Sequence, residues 1–350
     1  MSSLHYLELH PIPLFELRLD DTDRAPNPAL AGERNIAMIC LRLGQRLAAL
    51  ATLCALSVGT AANAAPLAPA PTVAESFDVG TLHVDRYGSG KPALILVPGL
   101  GSGPWSWYGT IAHFEPQYTI YALTLPGFDG RPATMKTPFF ATFTSDFNAL
   151  LDQRKIDKPI VMGHSLGGTL AIMLGEEEPD RLKAIVAVDG LPVFPPVATL
   201  TADQRKAAAT QAAAPIASAD AGTVRNYEKR YMSTIGTSDP ALVDSTATLE
   251  AKSDPKAIAA WLQEDVTADL RPDLAKVTIP LLEIMPYYAP DHTHPPLQYS
   301  QDQTIAFYQS ILAGAPHADV VPIPGARHFV MLDQPAAFYA AVEKFTASPK

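Results

Sequence analysis

The sequence predicts an α/β fold in which helices cover both faces of a mostly parallel central sheet. Short, continuous apolar runs such as ALILVPG (93–99) and AIVAVDG (184–190) are typical of strands buried on both faces. Stretches of helical length separate these runs, and such alternation indicates parallel strands joined by helices. Residues 191–277 contain no convincing strand and are too long for a simple loop, so they predict a helical cap inserted before the last two strands.

The predicted elements follow one another from residue 79 onwards. The first strand, at 81–88, alternates apolar and polar residues as an antiparallel strand does. The other predicted strands are continuous apolar runs at 93–99, 118–127, 159–165, 184–190, 280–286 and 318–325. Core helices are predicted at 140–155, 168–179, 303–314 and 335–347. This pattern assigns residues 79–190 and 278–350 to one core and 191–277 to the cap.

Residues 1–64 are predicted to be an upstream extension followed by a secretory signal. Arg42 and Arg46 precede an apolar run at 47–58, and small residues follow, ending in Ala-Asn-Ala at 62–64. A charged start, a short apolar centre and small residues are typical of a cleaved signal, and the run is short for a membrane span. The chain is therefore expected in the periplasm or outside the cell, with no stable membrane insertion after signal removal.

The position of this signal leaves two interpretations open. Either the residues before Met38 reflect a start codon chosen too far upstream, or the apolar run is an uncleaved anchor. Both cysteines, Cys40 and Cys54, fall within the signal, so no disulfide is expected in the exported chain. The Pro/Ala-rich residues 65–78 predict a flexible leader.

Composition narrows the possible partners. The formal net charge is −10, and no run of lysines or arginines appears. Because phosphate contacts require a basic face, the sequence predicts no nucleic-acid partner. The expected partner is a small-molecule substrate.

One serine stands between a predicted strand and a predicted helix in PIVMGHSLGGTLAIML (159–174). Gly163, Ser165 and Gly167 form the pattern G-x-S-x-G, and Gly168 adds a further residue without a side chain. A serine in so sharp a turn has strained backbone angles and neighbours that leave little room for side chains. Its hydroxyl then lies next to the free N–H groups of a helix N-terminus. This context predicts that Ser165 is a nucleophile rather than a helix cap.

The chain resembles the α/β-hydrolase superfamily over roughly residues 80–350. The resemblance is carried by the ordered motifs LVPGLGSGPWSW, YALTLPGFDGRP, VMGHSLGGTLAIML, AIVAVDG and PGARHFVMLDQP. It implies a serine hydrolase that needs neither a cofactor nor a metal. The nucleophile needs a base, and His328, after the last predicted strand, stands where the family keeps its general base. The serine argues against epoxide hydrolases and haloalkane dehalogenases, which use an aspartate there.

Two aspartates are candidates for the carboxylate that orients His328. Asp189 ends AIVAVDG and is followed by Gly190, so its side chain is expected at the same sheet edge as Ser165. Asp291 follows PLLEIMPYYAP, the commoner location in the superfamily, but without the usual Gly-x-x-Asp pattern. Both satisfy the chain order Ser, Asp, His. We favour Asp189 and keep Asp291 as the alternative.

The backbone N–H groups of Leu100 and Leu166 are predicted to form an oxyanion hole. Leu100 lies in VPGLGSG (97–103), where the family often has His-Gly-x, and Leu166 follows the nucleophile. Trp105 and Phe194 are predicted to contact the substrate, Phe194 because it opens the cap. Large apolar side chains in a cleft predict an apolar acyl group.

The predicted reaction is hydrolysis of a small to medium carboxylic ester through an acyl-enzyme. Lactonases, carbon–carbon bond hydrolases and proline-type aminopeptidases share the constellation, and an aminopeptidase would use acidic cap residues such as Glu250 and Glu264. A non-catalytic binding protein on this scaffold is a further alternative, although it would be expected to lose Ser165 or His328. The segment DHTHPP (291–296) offers His-x-His without a fourth ligand, so no metal site is predicted.

Overall fold

The computed structural model describes residues 67–293 and 298–347. The strands within these ranges are β1 (Glu75–Val79), β2 (Leu82–Tyr87), β3 (Ala93–Val97), β4 (Thr119–Thr124), β5 (Ile160–His164), β6 (Ala184–Val188), β7 (Leu281–Tyr287) and β8 (Ala318–Pro324). They form one sheet in the order β1-β2-β4-β3-β5-β6-β7-β8. Strand β2 pairs antiparallel with β1 and β4, whereas all other neighbours are parallel. The predicted mostly parallel sheet is confirmed.

The α-helices in the described part of the chain are α1 (Tyr108–Phe114), α2 (Phe139–Arg154), α3 (Leu166–Glu177), α4 (Ala202–Ala217), α5 (Ala221–Tyr231), α6 (Val243–Glu250), α7 (Pro255–Thr267), α8 (Gln301–Ile311), α9 (Val330–Asp333) and α10 (Pro335–Ala347). Helices α4 to α7 lie between β6 and β7. The predicted helical insertion before the last two strands is therefore present, and we call residues 191–277 the insert.

Helices cover both faces of the sheet, and the alternation of side chains along each strand divides the core into two layers. On β3, Ile95 belongs to the layer that the sheet forms with α2, α3 and α8. Its neighbours Leu94 and Leu96 belong to the opposite layer, formed with α1, α9 and α10. All three side chains are buried, so the continuous apolar runs correspond to strands that bury both faces.

The prediction of a flexible leader at 65–78 is wrong at its C-terminal end. Residues Glu75–Val79 form β1, an edge strand paired with β2. Glu75 makes two ion pairs, with Arg86 at 3.1 Å and with Arg154 at 2.6 Å. Pairing with β2 and these ion pairs hold the short polar strand, so the core begins with β1 rather than after it.

The insert has well-defined helix starts and is anchored on the core. Thr201 and Gln204 form a capping box at the start of α4. Asp254 caps α7 by accepting hydrogen bonds from two backbone N–H groups of its first turn. Trp261 of α7 is buried, and its ring centroid lies 4.8 Å from that of Phe139 at the start of α2. This aromatic contact fixes the insert against the core.

The predicted extension and signal, at 1–64, lie outside the described residues. The DHTHPP segment is described only as far as Thr293. Across 67–293 and 298–347, no helix is both long enough and apolar enough to span a bilayer.

Candidate active site

Ser165 occupies a one-residue turn between β5, which ends at His164, and α3, which begins at Leu166. Its backbone has φ 53° and ψ −121°, a conformation that residues with a side chain rarely adopt. The Ser165 N–H donates to the Val188 carbonyl of β6 at 3.0 Å. This bond to the neighbouring strand holds the strained turn in place.

The glycines around the serine are required by close backbone packing. A Cβ on Gly163 would lie 1.9 Å from the carbonyl oxygen of Gly167, and one on Gly168 would lie 2.7 Å from the Cα of Gly190. Helix α3 therefore starts in direct contact with the ends of β5 and β6. Because Gly190 follows Asp189, the same contact brings the loop after β6 against the serine turn.

Asp189 and His328 are hydrogen-bonded to each other at this edge of the sheet. The distance from His328 Nδ1 to Asp189 Oδ2 is 2.5 Å, and their side chains are 14% and 16% exposed. Asp189 has φ 48°, and its N–H donates to the Ile284 carbonyl of β7 at 3.0 Å. We assign the proton to Nδ1, because a carboxylate can only accept, and this leaves Nε2 available as a base.

The alternative acid, Asp291, has a different partner. Its two oxygens accept from the Arg327 guanidinium at 2.7 and 2.8 Å, and this guanidinium lies over the Tyr288 ring. A bidentate pair of this kind fixes both side chains. The structure therefore does not bring Asp291 to His328, although it ties Asp291 to the residue that precedes His328 in the chain.

Two residues that the sequence analysis did not single out lie next to Asp189. Tyr308 of α8 donates a hydrogen bond to Asp189 Oδ1, so the carboxylate accepts from two side chains. Glu283 of β7 is fully buried; burial and then the Asp189 charge raise the pKa of Glu283 well above its usual range, which keeps it neutral. Glutamate is unusual within an apolar run such as PLLEIMP, so the sequence alone could have pointed to Glu283. No pattern in the sequence points to Tyr308.

His164, the last residue of β5, packs against His328. Its Nε2 lies 3.1 Å from the His328 carbonyl oxygen, and the two ring centroids are 4.5 Å apart. Burial, and then the neighbouring His328, lowers the pKa of His164 well below its usual range. A neutral His164 can donate from Nε2 to that carbonyl, which links the serine turn to the histidine loop.

The backbone N–H groups of Leu100 and Leu166 are the predicted donors of the oxyanion hole. Leu166 is the first residue of α3, where N–H groups have no intrahelical acceptor. No acceptor among the described residues takes the N–H of either leucine. Leu100 belongs to residues 99–103, which we call the glycine loop; it turns through a hydrogen bond from Ser102 N to Gly99 O at 3.1 Å.

Comparison with known proteins assigns this arrangement to a family. Residues 94–342 match the model described as "Alpha/beta hydrolase family". The chain belongs to the alpha/beta hydrolase family. The predicted superfamily and the prediction of an enzyme are confirmed.

This alpha/beta hydrolase is similar to proteins named pimeloyl-[acyl-carrier protein] methyl ester esterase. It is 24% identical to the Yersinia enterocolitica protein over 272 residues, which cover 75% of the chain and 96% of that relative. It is 34% identical to the Legionella pneumophila protein over 113 residues, 32% of the chain and only 44% of that relative's length. A solved hydrolase structure from Pseudomonas aeruginosa, with TM-score 0.60 and 21% identity, covers 76% of this chain and 94% of its own. That likeness shows the shared fold.

The two residues predicted to contact substrate are placed differently. Trp105 is 2% exposed and stacks on Phe329 with centroids 6.0 Å apart. The Trp105 ring thus packs inside the hydrolase core, and its contact with substrate stays a prediction. Phe194 is half-buried at the start of the insert and packs on a small cluster with Val197 and Val266. Its contact with substrate stays a prediction.

The insert also holds the loop that carries His328. The N–H of His328 donates to the Ile235 carbonyl at 3.1 Å, and that of Phe329 donates to the Gly236 carbonyl at 2.8 Å. Arg327 donates to two further carbonyls of this segment. The position of the histidine is thus set by backbone contacts from the insert as well as by Asp189.

The acidic residues named for the aminopeptidase alternative already have partners. Glu264 accepts from the N–H groups of Phe139 and Phe140, at 2.6 and 2.9 Å, and so caps α2. Glu250 is buried and accepts from the Ser102 hydroxyl at 2.5 Å. The described residues contain no group of three or more side chains suited to a metal.

Proposed function

We propose that this hydrolase cleaves carboxylic esters, with Ser165 as nucleophile, His328 as general base and Asp189 as the acid that orients it. The observation that carries the proposal is the His328–Asp189 hydrogen bond at Nδ1, in a loop that His164 links to the strained serine turn. A strained backbone persists only where the surrounding structure holds it, and such strain clusters at functional sites. Membership of the family and the names of the relatives support the reaction class.

In the proposed reaction, Ser165 Oγ attacks the ester carbonyl carbon while its proton moves to His328 Nε2. The N–H groups of Leu100 and Leu166 then donate to the oxyanion of the tetrahedral intermediate. The proton passes from Nε2 to the leaving alcohol as the C–O bond breaks, which gives an acyl-enzyme. Water attacks the acyl carbon, gives its proton to His328, and the acid leaves as Ser165 regains a proton. Asp189 stabilises the imidazolium in both halves.

The proposed substrate is a small molecule with a small to medium, apolar acyl group. Burial raises the pKa of Glu228 to about 7 and that of Glu250 well above its usual range. A neutral Glu250 and a Glu228 that is only partly charged near pH 7 hold a substrate ammonium poorly, and Glu264 is already engaged as a helix cap. These contacts favour an ester over the aminopeptidase alternative. Lactones and carbon–carbon substrates use the same triad and belong in the second round of assays.

We also propose that the chain is exported to the periplasm or outside the cell. The support is the charged start, apolar run and Ala-Asn-Ala site within residues 1–64. Intact-mass measurement on the periplasmic fraction is expected to give a chain that begins near residue 65. Recovery of the full-length chain from the cytoplasm alone would contradict export.

The test of the catalytic proposal is turnover of p-nitrophenyl esters of increasing acyl length by the purified chain and by Ser165→Ala. The substitution is expected to lower kcat by at least about 10⁴-fold, because it deletes the attacking oxygen. The acyl length with the highest kcat/KM measures the reach of the acyl site.

The matched control is Ser145→Ala, which deletes an exposed hydroxyl on α2. It is expected to leave kcat and thermal midpoint unchanged. Equal turnover by wild type and Ser165→Ala would show that Ser165 is not the nucleophile. A wild type that turns over no ester, yet is labelled at Ser165 by a fluorophosphonate, would replace ester hydrolysis with another acyl-transfer reaction on the same triad.

A further inference from the structure

The α6–α7 turn of the insert, residues 250–254, is hydrogen-bonded to the glycine loop. The Ser253 hydroxyl donates to the Gly101 carbonyl at 2.6 Å. The same oxygen accepts from the backbone N–H of Asp129 at 2.8 Å, so both hydrogen-bonding functions of this hydroxyl are used. Ser253 is 3% exposed, which leaves little room for water to replace either bond.

These bonds continue through two rigid peptide planes to the N–H of Leu100. The Gly101 carbonyl and the Ser102 N–H belong to one planar peptide, and the Gly99 carbonyl and the Leu100 N–H belong to another. The Ser102 N–H donates to the Gly99 carbonyl at 3.1 Å and so joins the two planes. Fixing the Gly101 carbonyl therefore fixes the direction of the Leu100 N–H.

The order of donors and acceptors along this chain also has electrostatic consequences. Each bond points the same way, from the Asp129 N–H through the Ser253 hydroxyl and the two peptides to the Leu100 N–H. Hydrogen bonds in series polarise one another in a low-dielectric interior. The arrangement both orients the final N–H and strengthens it as a donor.

Glu250, from the same α6–α7 turn, also holds the glycine loop. Its Oε1 accepts from the Ser102 hydroxyl at 2.5 Å, and a Cβ on Gly101 would lie 2.9 Å from its Oε2. Gly101 has φ 75°, which a residue with a side chain adopts only under strain. The loop is thus confined by contacts from residues about 150 positions later in the chain.

We propose that Ser253 is a positioning residue of the oxyanion hole, acting through the Gly101 and Gly99 peptides to aim the Leu100 N–H at the substrate oxyanion. This inference rests on the proposed serine hydrolase mechanism. Because the oxyanion forms only after attack, correct aim of this N–H lowers the barrier more than it strengthens substrate binding. Ser253 acts on kcat, and KM depends on it little.

The test compares wild type, Ser253→Ala, Ser253→Cys and the control Ser245→Ala, an exposed serine of α6. We measure kcat and KM on a p-nitrophenyl ester, and the inhibition constant of a trifluoromethyl ketone, which forms an oxyanion at the active serine. Ser253→Ala is expected to lower kcat and weaken the inhibitor about 10-fold each, with KM changed less than about twofold. Ser253→Cys, a similar shape with a weaker donor, falls between Ser253→Ala and wild type, and Ser245→Ala matches wild type.

A second measurement needs no activity. Ser253→Ala is expected to raise the exchange rate of the Ser102 amide hydrogen about tenfold, because that N–H is the bond that joins the two peptides. Unchanged Ser102 exchange, or unchanged kcat in a folded Ser253→Ala, would overturn the inference while leaving the serine mechanism intact. A wild type inactive on every ester, with faster Ser102 exchange in Ser253→Ala, would overturn the proposed function and retain the link between Ser253 and the loop.

Discussion

At the carboxyl edge of the sheet, Asp189 and Asp291 each face strong hydrogen-bond donors, whereas Glu250 and Asp265, where the insert meets the core, have no cation beside them. Asp189 accepts from His328 and Tyr308, and no salt bridge among the described residues reaches Glu250 or Asp265. Burial raises the pKa of Asp265 to about 7. Burial therefore favours the neutral form of the carboxyls in the insert, whereas the two aspartates at the sheet edge accept hydrogen bonds from His328, Tyr308 and Arg327.

The difference teaches that the neighbouring donors decide which carboxylate can orient His328, the proposed general base. Asp189 and Asp291 both follow strands that end at the same edge of the sheet. Asp189 is hydrogen-bonded to His328, whereas Asp291 has a different basic partner. Arg327 stands next to His328 in the chain and pairs with Asp291, which keeps that carboxylate away from the imidazole. The adjacent residues Arg327 and His328 thus each bind one of the two aspartates.

Among the substitutions that test this pairing of acids and basic residues, Asp189→Asn is expected to have the largest effect. The amide cannot stabilise the imidazolium and disfavours the tautomer with its proton on Nδ1, so kcat is expected to fall by about 10⁴-fold with a small change in KM. Steady-state kinetics on the best p-nitrophenyl ester measure the effect.

Asp291→Asn is the matched comparison. It weakens a partly buried ion pair with Arg327, so we expect about 1 kcal/mol of lost unfolding free energy and a kcat within about threefold of wild type. If Asp291→Asn lost as much kcat as Asp189→Asn, the loop after β7 would supply the catalytic acid.

The second donor to Asp189 provides a sharper test of the same region. Burial, and then the Asp189 charge, raises the pKa of Tyr308 well above its usual range, so its hydroxyl keeps the proton that it donates. Tyr308→Phe removes this bond to a charged acceptor, and we expect about tenfold lower kcat, a part of the roughly 1.5–3 kcal/mol that such bonds contribute. The measurement is kcat over pH 5 to 9, together with the thermal midpoint.

Glu283→Gln is the control for Tyr308→Phe, since Glu283 also adjoins Asp189 but is neutral from the start. An amide in place of a neutral carboxyl is expected to change kcat less than about twofold at neutral pH. A large effect of Glu283→Gln, or none of Tyr308→Phe, would reverse the roles of these two neighbours.

Much of the candidate active site can be predicted from the amino-acid sequence alone. Ser165 and His328 follow apolar runs of strand length, and the carboxyl ends of parallel strands meet at one edge. The choice between Asp189 and Asp291 cannot be made with the same certainty, because it depends on Tyr308 and Arg327, which reach the site from other elements. Sequence spacing does not encode which donor meets which acid.

The contacts of the insert are the part that sequence reasoning missed. Ser253 stands in the unremarkable segment AKSDP, and its partner Gly101 is 152 positions away. Trp105 lies beside the glycine loop in the chain, yet its ring turns into the core. Strand β1 (ESFDV) escaped prediction because it is short, polar and at the edge, where its order comes from pairing with β2.

The neutral region of the comparison is tested by Asp265→Asn, which we expect to act on stability rather than on chemistry. Burial raises the pKa of Asp265 from 3.8 to about 7, so the folded chain binds this proton more tightly than the unfolded chain. Its contribution to the free energy of unfolding is therefore complete below pH 3.8 and is lost as the pH rises to about 7. The wild type is expected to lose roughly 1–4 kcal/mol from this group over that range.

Asparagine does not titrate, so Asp265→Asn should gain stability relative to wild type as the pH rises, by that same amount. Urea unfolding of both proteins at pH 4, 5, 6, 7 and 8 measures the difference, with Asp203→Asn on the exposed surface of α4 as the control that shows no such trend. A constant gap between Asp265→Asn and wild type across this range would mean that Asp265 is charged in the folded chain. The acids under the insert would then be held as Asp189 is, and the contrast between the two regions would be lost.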